Sequence, residues 1–120
     1  MKLSNFEIKL LKFVLTEEKP ELLEQIPNLE VKERKYTVVG MYTELQPING
    51  MSRYSEINCS LGRLAYGKNS DFEDIIRFDI SVIDGQLDCI EIFCNYTDEL
   101  PTNLDDFELA YLQVSKSGKH

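Results

Sequence analysis

At 120 residues, with 42% hydrophobic and 28% charged residues, the chain suffices for one modest core and is too apolar for wholesale disorder. Its net charge of −8 comes entirely from residues 41–120, which hold six Lys/Arg against fourteen Asp/Glu, whereas residues 1–40 hold seven of each. A nucleic-acid partner is not expected, because it requires clustered Lys and Arg, and no apolar run approaches the roughly 18 residues of a membrane span.

Ser4-Asn5-Phe6-Glu7 has the spacing of a capping box and predicts a helix start. Phe6, Leu10, Phe13 and Val14, widened by Ile8, Leu11 and Leu15, give that helix a broad apolar stripe. It is expected to end near Glu18, because the residue before Pro20 resists the α conformation. Pro20 suits the first turn of a short second helix over Glu21–Ile26, which Pro27 stops.

From Val31 the period changes to two. Tyr36–Leu45 is rich in β-branched and aromatic residues and predicts one long strand, with Gly40 marking a bulge or close backbone approach. A second strand is expected over Glu56–Tyr66. The runs flanking Asp84-Gly85 carry a strong hairpin signal and supply two more. Phe107–Val114 completes about five strands. Helices first and strands after argue for an α+β fold, a helix pair packed on a single antiparallel sheet. Residues 1–114 read as one domain and 115–120 as a flexible tail.

With Asp84 and Gly85 at the turn, simple alternation pairs Val82 with Leu87, Ile80 with Cys89 and Phe78 with Glu91. Glu91 then falls on the apolar face. Three outcomes are open. Glu91 is a buried, hydrogen-bonded structural carboxylate; or a bulge near Cys89 turns it outward and brings Ile90 and Ile92 in; or it lines a cleft and binds a ligand. In the last case Tyr42 and Tyr96 are candidate companions in a pocket between helices and sheet.

Other constellations carry little chemistry. Cys59, Cys89 and Cys94 are odd in number, lack a C-x-x-C spacing and lie in strand-like runs, which suits core filling better than disulfides or zinc. Gly62–Asn69 nearly matches a phosphate-binding loop but lacks the hydroxyl at Asn69 and a following helix. His120, the only histidine, ends the chain, so no histidine-dependent nucleophile is expected. Asp71, Glu73 and Asp74 lack the glycine and terminal glutamate of a calcium loop and read as a solvated loop. No metal or cofactor is expected, and no catalytic residue stands out. With no leader-like segment, a cytoplasmic location follows by default.

Five acids and no base lie between Asp98 and Glu108. Asp98, Glu99, Asp105, Asp106 and Glu108 are therefore candidate partner-binding residues, and a basic protein is the partner their field would steer. A merely solubilising acidic surface is the plainer alternative.

Thr37-Val38-Val39-Gly40-Met41-Tyr42-Thr43 is similar to a T-x-x-G-aromatic-aromatic-T strand of small bacterial proteins. Phe78–Glu91 resembles their later segment ending D-G-x-L-x-x-L-E, with Tyr96 and Leu100-Pro101 following. The sequence departs from that pattern at Ile92, where glycine is common, and at Leu100, where tryptophan stands. The resemblance covers roughly residues 36–111. It implies a non-enzymatic cytoplasmic protein, such as an immunity protein that neutralises a cognate toxin, and brings no catalytic residues with it. The oligomeric state is not legible.

Overall fold

The computed structural model describes residues 1–50, 55–96 and 99–113. Helix α1 spans Asn5–Glu18, and a 3-10 helix follows over Pro20–Asn28. Seven strands complete the described residues: β1 (Leu29–Tyr36), β2 (Gly40–Pro47), β3 (Cys59–Leu61), β4 (Ala65–Lys68), β5 (Ile76–Ile83), β6 (Gln86–Cys94) and β7 (Glu108–Tyr111). They form one antiparallel sheet in the order β1-β2-β6-β5-β4-β7, with β3 also pairing β5. The α+β architecture is as expected, with seven strands rather than about five.

The two additional strands have separate causes. Charged Leu29–Tyr36 carries little alternation beyond Val31, yet it pairs β2 as the edge strand. The expected long strand over Tyr36–Leu45 is broken at Thr37–Val39, where the Thr37 amide donates to the Gly40 carbonyl (2.9 Å) and the Gly40 amide to Thr37 Oγ1 (3.0 Å). Its β-branched residues form a hairpin tip. The expected strand over Glu56–Tyr66 is cut by Gly62, whose φ of +78° turns the chain between β3 and β4. The expected last strand is shorter, and Val114 with the tail lies outside the described residues.

The capping box forms: the Glu7 amide donates to Ser4 Oγ (3.1 Å) and the Ser4 amide to Glu7 Oε1 (2.7 Å). Phe6, Leu10, Leu11, Val14 and Leu15 of α1 are buried over the inner sheet face, where Phe78, Ile80, Ile90 and Ile92 are nearly inaccessible. Full burial of one such side chain contributes about 1.5–3 kcal/mol, so this layer dominates the fold energetically. The second helical segment runs past the expected Ile26 and includes Pro27. Its 3-10 winding repeats every three residues, so Leu22 and Gln25 share the buried face.

Hairpin β5–β6 departs from simple alternation. Asp84 and Gly85 take positive φ values of 50° and 79°, as a tight two-residue turn requires. Val82 still pairs Leu87, but Ser81 pairs Cys89, which leaves Asp88 as the extra residue of a bulge. Ile80 then faces Ile90, Phe78 faces Ile92, and Glu91 pairs Asp79 on the outer face. Glu91 is therefore neither buried in the core nor placed between helices and sheet. One inserted residue exchanges the two faces, and it does so in the direction that buries two isoleucines in place of a carboxylate.

Gln25 stitches the helical layer to this hairpin. Its Nε2 donates to the Gly85 carbonyl (2.7 Å), and its Oε1 accepts from the Leu87 amide (2.9 Å), both buried. Gln25→Ala strands one backbone donor and one acceptor, and the expected loss is about 2 kcal/mol. Urea unfolding checks this: the midpoint falls while the slope stays constant.

Candidate functional site

The sheet register brings the β1–β2 tip beside the end of β6. Gly40 pairs Phe93, and the Cys94 amide donates to the Val39 carbonyl (3.0 Å). Beyond β6 the Asn95 amide donates to the Ile75 carbonyl (3.2 Å) and the Tyr96 amide to Asp74 Oδ2 (2.6 Å). Asp74 also accepts from the Ile75 amide (2.7 Å) and is buried, so within the acidic loop only Asp71 and Glu73 are solvated as expected.

This pinned backbone holds large apolar side chains in water. Tyr36 is 74% exposed, Val38 81% and Tyr96 83%, and Val39 is also exposed. Scattered exposed apolar residues are ordinary, but several gathered at one end of a sheet make a candidate docking surface. Sequence reasoning missed Val38 and Val39, because a β-branched run ending in glycine reads as strand.

The acidic segment lies against this end. Leu100 and Leu104 pack on the core and Phe107 is buried, while Glu99, Asp105, Asp106 and Glu108 are exposed. Lys9 Nζ donates to the Phe107 carbonyl (2.6 Å), and Cys94 Sγ to the Glu99 carbonyl (3.2 Å). A groove of about 640 Å³ separates the segment from Tyr36 and Met41, with Asp105 on its rim. Asp106 and Glu108 turn instead toward the loop at Lys68–Asp71. Asp98 lies outside the described residues.

At the inner end of that groove a buried carboxylate pairs with a partly buried guanidinium. Arg34 grips Glu7 with Nη2–Oε1 2.6 Å and Nε–Oε2 3.1 Å, and Thr43 Oγ1 donates to Oε2 (2.8 Å). Burial pushes the Glu7 carboxyl up, but Arg34, the Ser4 amide and Thr43 together hold it below its ordinary value of 4.5. The acid buried beneath the inner sheet face is thus Glu7 of α1, not Glu91 of β6, and Asp74 is the second buried acid among the described residues.

Glu91, Tyr42 and Tyr96 do not share a pocket. Glu91 and Tyr42 are cross-strand neighbours on the outer face, and the Glu91 carboxylate raises the Tyr42 hydroxyl by accepting its hydrogen bond. Tyr96 stands beyond the end of β6. Glu91 lines an outer groove of about 600 Å³ with Arg63, Arg77, Asp79 and Phe93. Asp79 and Glu91 are adjacent-strand partners there.

The thiols have no disulfide partner among the described residues. Burial, followed by the neighbouring Asp88 carboxylate, pushes the Cys89 thiol up to about 11, which leaves little nucleophilic thiolate near neutral pH. Among the described residues no three His, Cys, Asp or Glu side chains gather into a group able to hold a metal ion. No described helix is long and apolar enough to cross a membrane.

Comparison of this chain with protein families, with curated proteins and with solved structures finds no match in any of the three.

Proposed function

We propose that this chain is a protein-binding module that docks through the β1–β2 tip and the end of β6 onto a basic partner. The observation that carries the reading is the grouping of exposed Tyr36, Val38, Val39 and Tyr96 beside an acidic segment without a base. Tyrosines with a rigid apolar body and a polar tip serve well as interface anchors. The acids at Glu99 and Asp105 accelerate encounter with a positively charged surface and reject acidic ones. A basic toxin neutralised by direct binding, the role implied by the resemblance at residues 36–111, is the partner class we propose.

The test is a pull-down of the products of adjacent genes, at low and at high salt, with wild type and two variants. Tyr36→Ala with Tyr96→Ala is expected to weaken binding by about 2 kcal/mol or more, roughly thirtyfold in Kd, with stability nearly unchanged. Glu99→Lys with Asp105→Lys is expected to slow association and flatten its salt dependence. Full retention by the double tyrosine variant, or binding indifferent to salt, overturns the proposal.

A further inference from the structure

A second concavity lies on the helical side of the molecule. The 3-10 helix presents Leu22 and Gln25 to the core, and one residue on from each it presents Leu23 and Ile26 to a trough. The opposite wall is a stripe of α1, Ile8, Lys12 and Thr16, spaced four residues apart. Leu29 and Ile48 line the trough as well. The Val31 amide donates to the Met1 carbonyl (2.7 Å), which runs the first residues along β1 and sets Lys2 and Leu3 at the rim. The open trough has a volume of about 910 Å³, within the range of small-molecule pockets.

Charge selects the occupant. Lys2 and Lys12 line the trough, and neither has an ion-pair partner among the described residues. Glu30, the one lining acid among them, accepts a hydrogen bond from Gln46 Nε2 (2.9 Å). The trough is therefore a basic-rimmed apolar slot in a chain of net charge −8. Its lining matches a hydrocarbon chain, and its uncommitted ammonium groups match an anionic head.

We infer that this trough binds a free single-chain anionic amphiphile, a long-chain carboxylate or alkyl phosphate, tail on the apolar floor and head group at Lys2 and Lys12. The trough lies on the helical side, with Lys2 also lining the groove beside Tyr36, and the inference does not rest on the proposed protein docking.

Dodecanoate titrated into the full chain, followed by calorimetry and thermal melting, tests the inference. Saturable one-to-one binding that raises the Tm is expected, with dodecanol at least about tenfold weaker. Lys2→Met with Lys12→Met keeps the aliphatic stems and is expected to weaken dodecanoate by about tenfold, bringing it level with dodecanol. Leu23→Glu is expected to remove both ligands, and circular dichroism of the free variants verifies that they remain folded. Equal affinity for acid and alcohol overturns the inference, as does a non-saturating fall in Tm. Sedimentation with phosphatidylglycerol vesicles without binding of monomeric dodecanoate, the signature of a membrane surface site, overturns it too.

Discussion

Glu7→Ala lowers the unfolding free energy by about 4 kcal/mol, a large fraction of the roughly 5–15 kcal/mol typical of a domain. The carboxylate is 1% exposed and is held by the Arg34 fork, the Thr43 hydroxyl and the Ser4 amide. Removing it leaves the half-buried Arg34 guanidinium without its counter-charge and the buried Thr43 hydroxyl without its acceptor. The α1 capping box is lost at the same time. Breaking a buried pair from one side costs far more than the intact pair contributes, because the surviving partner stays desolvated. Replacing Glu7, Arg34 and Thr43 together by apolar residues of similar size is therefore expected to cost less than Glu7→Ala alone. Urea unfolding of the single and triple variants tests this ordering.

The same carboxylate imposes a pH dependence of known sign. Its folded-state value lies below its ordinary 4.5, so the folded protein holds its proton less tightly than the unfolded chain does. The stabilisation is fully present above about pH 5 and is lost as pH falls from the unfolded value through the lower folded one. Glu7→Gln abolishes this component, so stability plotted against pH flattens on its acid limb. An acid limb as steep as wild type would show that other carboxylates govern acid unfolding.

Gly40→Ala destabilises by about 3 kcal/mol for a different reason. A Cβ at Gly40 would collide with the Ile92 carbonyl oxygen and lie 2.9 Å from Phe93 Cα. Those are backbone atoms of the central strand β6, and no rotamer change moves them aside. The pairing of β2 with β6 must open, and the β1–β2 tip tilts with it. Val38→Ala, two residues away at a position 81% exposed, is expected to change stability by less than about 0.5 kcal/mol. Comparing the two unfolding midpoints separates backbone crowding from general sensitivity of the tip. Gly40→Ala is also expected to weaken partner binding, since it displaces Tyr36 and Val39.

Several elements were legible from local pattern alone. Ser4 and Glu7 announce the start of α1, the residues around Lys19-Pro20 announce its end, and Asp84-Gly85 announces the hairpin turn. Each rests on chemistry within a few residues. Edge strand β1 was not legible, because its apolar residues end at Val31 and its pairing with β2 supplies the rest. The exposed tip was concealed for the converse reason, since Thr37-Val38-Val39 has strand propensity but no neighbour to bury it. Buried Glu7 left a signal in hindsight: it shares the spacing of Leu11 and Val14 on the core-facing side of α1.

The sequence by itself determined the α+β class, the capped first helix, the hairpin turn and the confinement of net negative charge to residues 41–120. These follow from local propensity, periodicity and composition. Only the tertiary structure decided which face Glu91 occupies, because a bulge at Asp88 changes nothing local and exchanges every side chain beyond it. It alone brought the tip of β1–β2 beside Tyr96, and Leu23 and Ile26 across from Ile8, since both groupings depend on partners distant in sequence. Side-chain direction in a sheet is settled by the pairing that buries most apolar area, and that pairing is a property of the assembled layers.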